Sequence, residues 1–194
     1  MATINPIELQ GLWKKGFALD LHTLSSFYMG EDQYGRPQYD TQRSKIGELV
    51  YRLKYRNEDT ISDIKTLVIP FLISWGIHKE VELIIPVPPS KNRISQPVFK
   101  ICDSIGESLN IYVCHDVLKK MNSQELKGIS LIEKQQAIEN SMVFHRKIIR
   151  PISILLVDDL YESGATLTAA NKILQTEPNV KNIYVLTMTK TRRN

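Results

Sequence analysis

Two adjacent acids, Asp158 and Asp159, stand where the apolar run Ile152–Val157 gives way, a few residues on, to the small residues Ser163, Gly164, Ala165 and Thr166. Small side chains let an anion reach the backbone, and amides at the start of a following helix point outward at the positive end of its dipole. The Ser163 and Thr166 hydroxyls add donors, so the segment suits a phosphate cradle. Carboxylates beside an anion site need a purpose. Accepting hydrogen bonds from sugar hydroxyls, or holding water on Mg2+, supplies one. The same residues also suit the plain end of a strand and the cap of a helix, and the spacing alone leaves both readings open. Neither GxxxxGKS/T nor GxGxxG occurs, so a Walker-type nucleotide hydrolase and a dinucleotide-binding fold lack support.

The elements that must position these groups follow from hydrophobic patterning. Ile152–Val157 has Ser153 as its one polar residue, as expected of a central parallel strand covered on both faces. Ala165–Leu174 reads as a helix with Leu167, Ala170 and Leu174 on one side, and Ile183–Met188 as the next strand, which together make a right-handed βαβ unit. Upstream, Val81–Val87 is a buried strand running into a rigid loop at Pro86, Pro88 and Pro89, followed by a helix over Pro97–Leu109 and a strand near Ile111–Val117. Earlier still, Phe17–Phe27 alternates like a half-buried strand, and Gly30–Asp40 has hairpin or loop composition. Ile46, Leu49, Val50 and Leu53 recur at helix spacing behind a candidate N-cap at Asp40 or Thr41. Pro70 should kink or split a second helix over Ile61–Trp75. The expected fold is α/β: a mainly parallel, twisted sheet flanked by helices, with an N-terminal strand/helix extension. It forms one domain over residues 1–194, with 1–57 as extension or hood and 58–194 as core. Ligands of such sheets sit at the carboxyl ends of the strands.

The 25 Lys plus Arg against 21 Asp plus Glu give +4, a mild bias towards phosphate-bearing ligands or nucleic acid that does not choose between them. With 42% hydrophobic and 24% charged residues the chain is globular rather than disordered. Cys102 and Cys114 form no CxxC pair, which argues against a disulfide framework and a cysteine zinc ribbon. Met1–Lys15 lacks the apolar core of a secretory signal, and Leu67–Ile77, interrupted by Pro70 and Ser74, is short of the roughly 20 residues that span a membrane. The chain therefore reads as soluble, reduced and cytoplasmic. His22 near Asp20, and His115 beside Cys114, lack a third partner for metal ligation. Tyr28, Tyr34 and Tyr39 suit either base stacking or ordinary packing. Lys119, Lys120, Gln124 and Lys127, with the polar stretch Leu131–Asn140, suit either a closing lid or a solvated basic face. Lys190–Arg193 is a short basic tail.

The segment Val157–Leu167 resembles the phosphoribosyl pyrophosphate (PRPP) motif of type I phosphoribosyltransferases: an apolar strand, two acids, two variable residues and a small-residue loop with Gly and Thr. The likeness extends, over about residues 49–190, to the ComF-like branch, through Leu53-Lys54-Tyr55-Arg56, through Ile85–Ser90 with Arg93, and through Gln124, Leu126 and Phe144. The zinc ribbon common in that branch has no counterpart, and Arg93–Pro97 is shorter than the usual stretch after the pyrophosphate loop and lacks its Gly.

The resemblance implies that Ser163, Gly164, Ala165 and Thr166 bind a 5′-phosphate while Asp158 and Asp159 face ribose hydroxyls. Neighbours on a regular strand point to opposite faces, so one acid turns away towards a basic residue unless the chain bends, and Asp159 is the first choice for the sugar. Pyrophosphate is expected over Pro88, Pro89, Ser90 and Lys91, with Mg2+ bridging its oxygens and Lys91 and Arg93 adding positive charge. Glu162 corresponds to an acid that some purine-base transferases place beside the acceptor, as acid or base. The implied activity is transfer of ribose 5-phosphate from PRPP to a nitrogen nucleophile, a base or an amine, with release of pyrophosphate, in an enzyme that forms a homodimer as type I relatives often do. The alternative from the same resemblance is a non-catalytic PRPP- or nucleotide-binding accessory of DNA uptake that handles single-stranded DNA.

Overall fold

The computed structural model describes residues 4–89, 96–120 and 142–192. In chain order the strands are β1 (Ile7–Glu8), β2 (Lys15–Ala18), β3 (Thr23–Glu31), β4 (Pro37–Arg43), β5 (Leu83–Pro86), β6 (Tyr112–Val113), β7 (Leu118–Lys120), β8 (Met142–Phe144), β9 (Ile152–Tyr161) and β10 (Val180–Lys190). The helices are α1 (Lys45–Tyr55), α2 (Ile61–Trp75), α3 (Pro97–Leu109) and α4 (Ala165–Gln175). Six strands form the main sheet in the order β1-β2-β10-β9-β5-β6. Every neighbouring pair is parallel except β1 against β2. The mainly parallel α/β architecture read from the sequence is therefore present.

β9 is central because its residues are apolar on both faces. Leu155 and Val157 pack into a core shared with α1, α2 and α3, whereas Ile154 and Leu156 belong to a second core that contains Leu167, Ala170 and Leu174 of α4. Ile154, Leu155, Leu156 and Val157 are fully buried, and burying a side chain of this size is worth about 1.5–3 kcal/mol. The two cores clamp the strand that ends in Asp158 and Asp159.

The N-terminal third departs from the patterning in two places. The strand expected over Phe17–Phe27 is two strands: β2 lies in the main sheet beside β10, and β3 leaves it to pair with β4. The chain bends at Leu19 and Asp20, whose Oδ1 accepts the Leu21 amide at 2.7 Å, and makes a last bridge to β10 from Leu21 to Lys190 before leaving as β3. Asp40 and Thr41 sit inside β4, opposite Phe27 and Ser26, so neither caps α1. Ser44 does, its Oγ accepting from the Gly47 amide at 3.0 Å. Pro70 does not split α2. It lies on the solvent face, where the Thr66 carbonyl left without its usual amide is open to water.

Further along, the strand expected at Ile111–Val117 shortens to Tyr112–Val113, and β10 runs beyond Ile183–Met188 in both directions. No described helix is long and apolar enough to cross a membrane.

Candidate active site

β9 delivers its two acids at the carboxyl edge of the sheet, flanked on one side by the loop leaving β5. The Val87 amide donates to the Val157 carbonyl at 2.8 Å and fixes the start of Val87-Pro88-Pro89 against β9. Alternation along β9 puts Asp158 on the α4 side of the sheet and Asp159 on the α1 side. Asp159 there meets a base: its Oδ2 lies 2.7 Å from Nζ of Lys54 on α1, with the two side chains 14% and 22% exposed. The expectation that one acid pairs with a basic residue is met by Asp159, the residue also assigned first to the sugar.

Asp158 accepts the Asp159 amide on Oδ1 at 2.8 Å. Burial, and then the neighbouring charge of Asp159, push its carboxyl up to about 7, while Lys54 and Lys120 pull it down. One proton at this pair is therefore in play near neutrality. Behind Asp159, Thr189 Oγ1 donates to the Asp159 carbonyl at 3.2 Å, and His22 Nδ1 lies 3.1 Å from the same hydroxyl. Burial, together with Arg43 and Lys54, lowers the His22 pKa and favours the neutral ring.

The turn after β9 is built for close approach. Gly164 is the N-cap of α4 with φ 79°, a left-handed conformation that glycine adopts without steric cost. A Cβ at this position would fall 2.5 Å from Tyr161 Oη, because the ring packs across the glycine. The Ser163 hydroxyl accepts the Ala165 amide at 3.3 Å. The first intrahelical bond runs from the Thr168 amide to the Gly164 carbonyl, so the amides of Thr166 and Leu167 precede the helical ladder. Ser163, Ala165 and Thr166 are exposed.

Two cavities meet here. A recess of about 90 Å3 is lined by Asp158, Leu160, Tyr161, Glu162, Ser163, Gly164, Thr166 and Leu167. A chamber of about 200 Å3 is lined by Lys54, Val87, Pro88, Pro89, Gln96, Pro97, Val98, Lys120, Asp158, Asp159, Leu160, Glu162 and Thr166. Asp158, Leu160, Glu162 and Thr166 belong to both, so the recess and the chamber form one cleft with two ends. Tyr161 covers Gly164 without closing the recess. The small end carries loop amides and hydroxyls and, among the described residues, no lysine or arginine. The large end carries Lys54 and Lys120.

The cleft thus brings together Asp158, Asp159, Glu162, Ser163, Gly164, Thr166, Pro88 and Pro89. Ala165 is on the same turn without lining either cavity. Ser90, Lys91 and Arg93, together with Gln124, Leu126, Lys127, the stretch Leu131–Asn140 and Arg193, lie outside the described residues. Tyr28, Tyr34 and Tyr39 are exposed on the β3–β4 hairpin and line neither end of the cleft. His115 pairs with Asp103 at 2.7 Å and stacks on Phe99. Among the described residues no three His, Cys, Asp or Glu side chains gather as a metal would need. Lys54 was not among the residues singled out for chemistry. Its signal was a base four positions after Val50, at the border of the apolar stripe of α1.

No protein-family model and no curated protein sequence matches the chain. Solved structures do resemble it. The adenine phosphoribosyltransferase of Trypanosoma brucei, in complex with AMP, pyrophosphate and ribose-5-phosphate, aligns with TM-score 0.50 and 14% identity over 95% of this chain and 74% of that one. The adenine phosphoribosyltransferase of Thermoanaerobacter pseudethanolicus aligns with TM-score 0.45 and 12% identity, covering 86% and 94% of the two chains. UMP synthase of Leishmania donovani aligns with TM-score 0.40 and 10% identity over 85% of this chain, which spans 28% of the length of that protein. At these identities the likeness is one of fold.

Proposed function

We propose that the chain is a phosphoribosyltransferase that moves ribose 5-phosphate from PRPP to a nitrogen acceptor. The observation that carries this reading is the two-ended cleft: an anion-sized recess of amides and hydroxyls opening, past two carboxylates, into a larger chamber with cations. In this reading the 5′-phosphate enters the recess at Ser163–Thr166, held by backbone donors at a helix N-terminus. Asp158 and Asp159 accept from the ribose hydroxyls. Pyrophosphate lies in the chamber against Pro88 and Pro89. A ligand of this class is in keeping with the fold neighbour from Trypanosoma brucei, which is a complex with AMP, pyrophosphate and ribose-5-phosphate.

Bond cleavage takes the electron pair of the C1–O bond out with pyrophosphate and leaves positive charge on the sugar. The carboxylates of Asp159 and Glu162 face that charge from the cleft wall and stabilise it. The acceptor nitrogen then donates its lone pair to C1, and the proton it sheds passes to Glu162, which lies exposed at the junction of the two ends. Most of the rate comes from holding the reactants in line and excluding water.

Mg2+ suits this site only as an ion that arrives with its ligand. Among the described residues no three acidic side chains gather here, and Asp159 already has Lys54 on one oxygen. When bound, the ion would neutralise charge on the departing pyrophosphate.

Calorimetry of PRPP with Mg2+, paired with pyrophosphate release over a panel of bases and amines, tests the assignment. Wild type should bind, and Asp159→Asn or Gly164→Val should abolish binding. Unchanged affinity in both variants would refute the site. Salt-dependent retardation of single-stranded DNA without pyrophosphate release would favour the accessory role instead.

A further inference from the structure

We infer that Lys54 is a built-in counter-ion, parked on Asp159 while the cleft is empty, that moves onto the pyrophosphate end of the ligand and so hands Asp159 to the sugar. This role rests on the phosphoribosyl reading of the cleft and adds to it a residue from the N-terminal third of the chain. The first support is an occupancy conflict. The Lys54 ammonium takes up Asp159 Oδ2 at 2.7 Å inside a largely buried pair, yet a carboxylate that clasps two neighbouring hydroxyls uses both oxygens.

The second support is the uneven distribution of charge along the cleft. Lys54 and Lys120 line the large end, and no described lysine or arginine lines the recess. An anion with one phosphate at each extremity would therefore meet neutral donors at one extremity and cations at the other. Lys54 is one of those cations, so it serves the pyrophosphate end.

The third support is mechanical. Ile46, Leu49, Val50 and Leu53 bury one face of α1, and Ser44 caps its start. The helix stays in place while the four-carbon stem of Lys54 swings its charge across the chamber. The carboxylate loses its ammonium partner and gains sugar hydroxyls in its place, while the ligand gains the ammonium. Burial, and then the neighbouring Asp159 charge, raise the Asp158 pKa, so the pair need not carry two charges when the ammonium leaves.

The test compares PRPP with ribose 5-phosphate, which lacks the pyrophosphate, by calorimetry on wild type, Lys54→Met and Lys54→Arg, with thermal unfolding in parallel. Lys54→Met should lose about tenfold or more in PRPP affinity while ribose 5-phosphate affinity changes less than about threefold. Lys54→Arg, which keeps the charge, should recover most of the PRPP affinity. Equal losses for both ligands would make Lys54 a structural tether between α1 and β9 and overturn the inference, as would an unchanged PRPP affinity. If wild type binds neither ligand, the phosphoribosyl reading itself falls, an outcome distinct from any difference between variants.

Discussion

Gly164 offers the sharpest stability test of the cradle, because two independent costs meet at one atom. Replacing it by Ala asks an L-residue to hold φ 79°, which costs about 1–2 kcal/mol. The new methyl group would also fall 2.5 Å from Tyr161 Oη and 2.8 Å from Cζ, and crowding of this kind costs about 1–3 kcal/mol. The ring packs against the α4-side core and also borders the recess, so its hydroxyl end must shift to admit the methyl group. Gly164→Ala should therefore destabilise the protein by roughly 2–5 kcal/mol. In a Tyr161→Ala background the crowding disappears and only the backbone part, about 1–2 kcal/mol, should remain. Urea unfolding of the four proteins in this double-mutant cycle measures both parts, and ribose 5-phosphate calorimetry on the folded species reads the cradle. Equal costs of Gly164→Ala in the two backgrounds would refute the claim that Tyr161 shapes the turn.

Two further expectations follow from the same geometry. Asp158 titrates near 7 in the folded chain against 3.8 ordinarily, so between about pH 4 and 7 the native state holds a proton the unfolded state has lost. Its contribution to stability therefore declines as pH rises through that window. Asp158→Asn should flatten the decline and leave the variant relatively more stable at pH 8, which urea midpoints at several pH values would reveal; parallel slopes would contradict it. Ser44 is buried, caps Gly47 and donates to the Leu21 carbonyl, so Ser44→Ala should cost about 1–2 kcal/mol in the same unfolding assay.

The core was legible where one signal dominated. Six residues with a single polar member made Ile152–Val157 a central strand, and Pro97–Leu109 and Ala165–Leu174 read as helices because their apolar spacing agreed with their flanks. The acids and the small-residue turn were legible for the same reason, as they follow directly from a strand that could be placed. The N-terminal third resisted because its pattern is broken by side-chain chemistry that propensity does not carry. Asp20 bonds its neighbour's amide and bends the chain between β2 and β3, and the hairpin then absorbs Asp40 and Thr41, leaving the cap to Ser44. Lys54 illustrates what a linear reading misses. Its partner lies 105 positions away, and only the packing of α1 against the sheet brings the two together.

The β3–β4 hairpin springs from beside the cleft, its first pair Thr23 and Arg43 adjoining His22 and the cap of α1, yet among the described residues it shares no ladder with the main sheet. β2, by contrast, is stitched along β10. Divergence is therefore unequally tolerated across the amino-terminal region. Lengthening or trimming the ribbon tip around Gly35 would leave every ladder of the central sheet intact, whereas a deletion in β2 would unzip its margin.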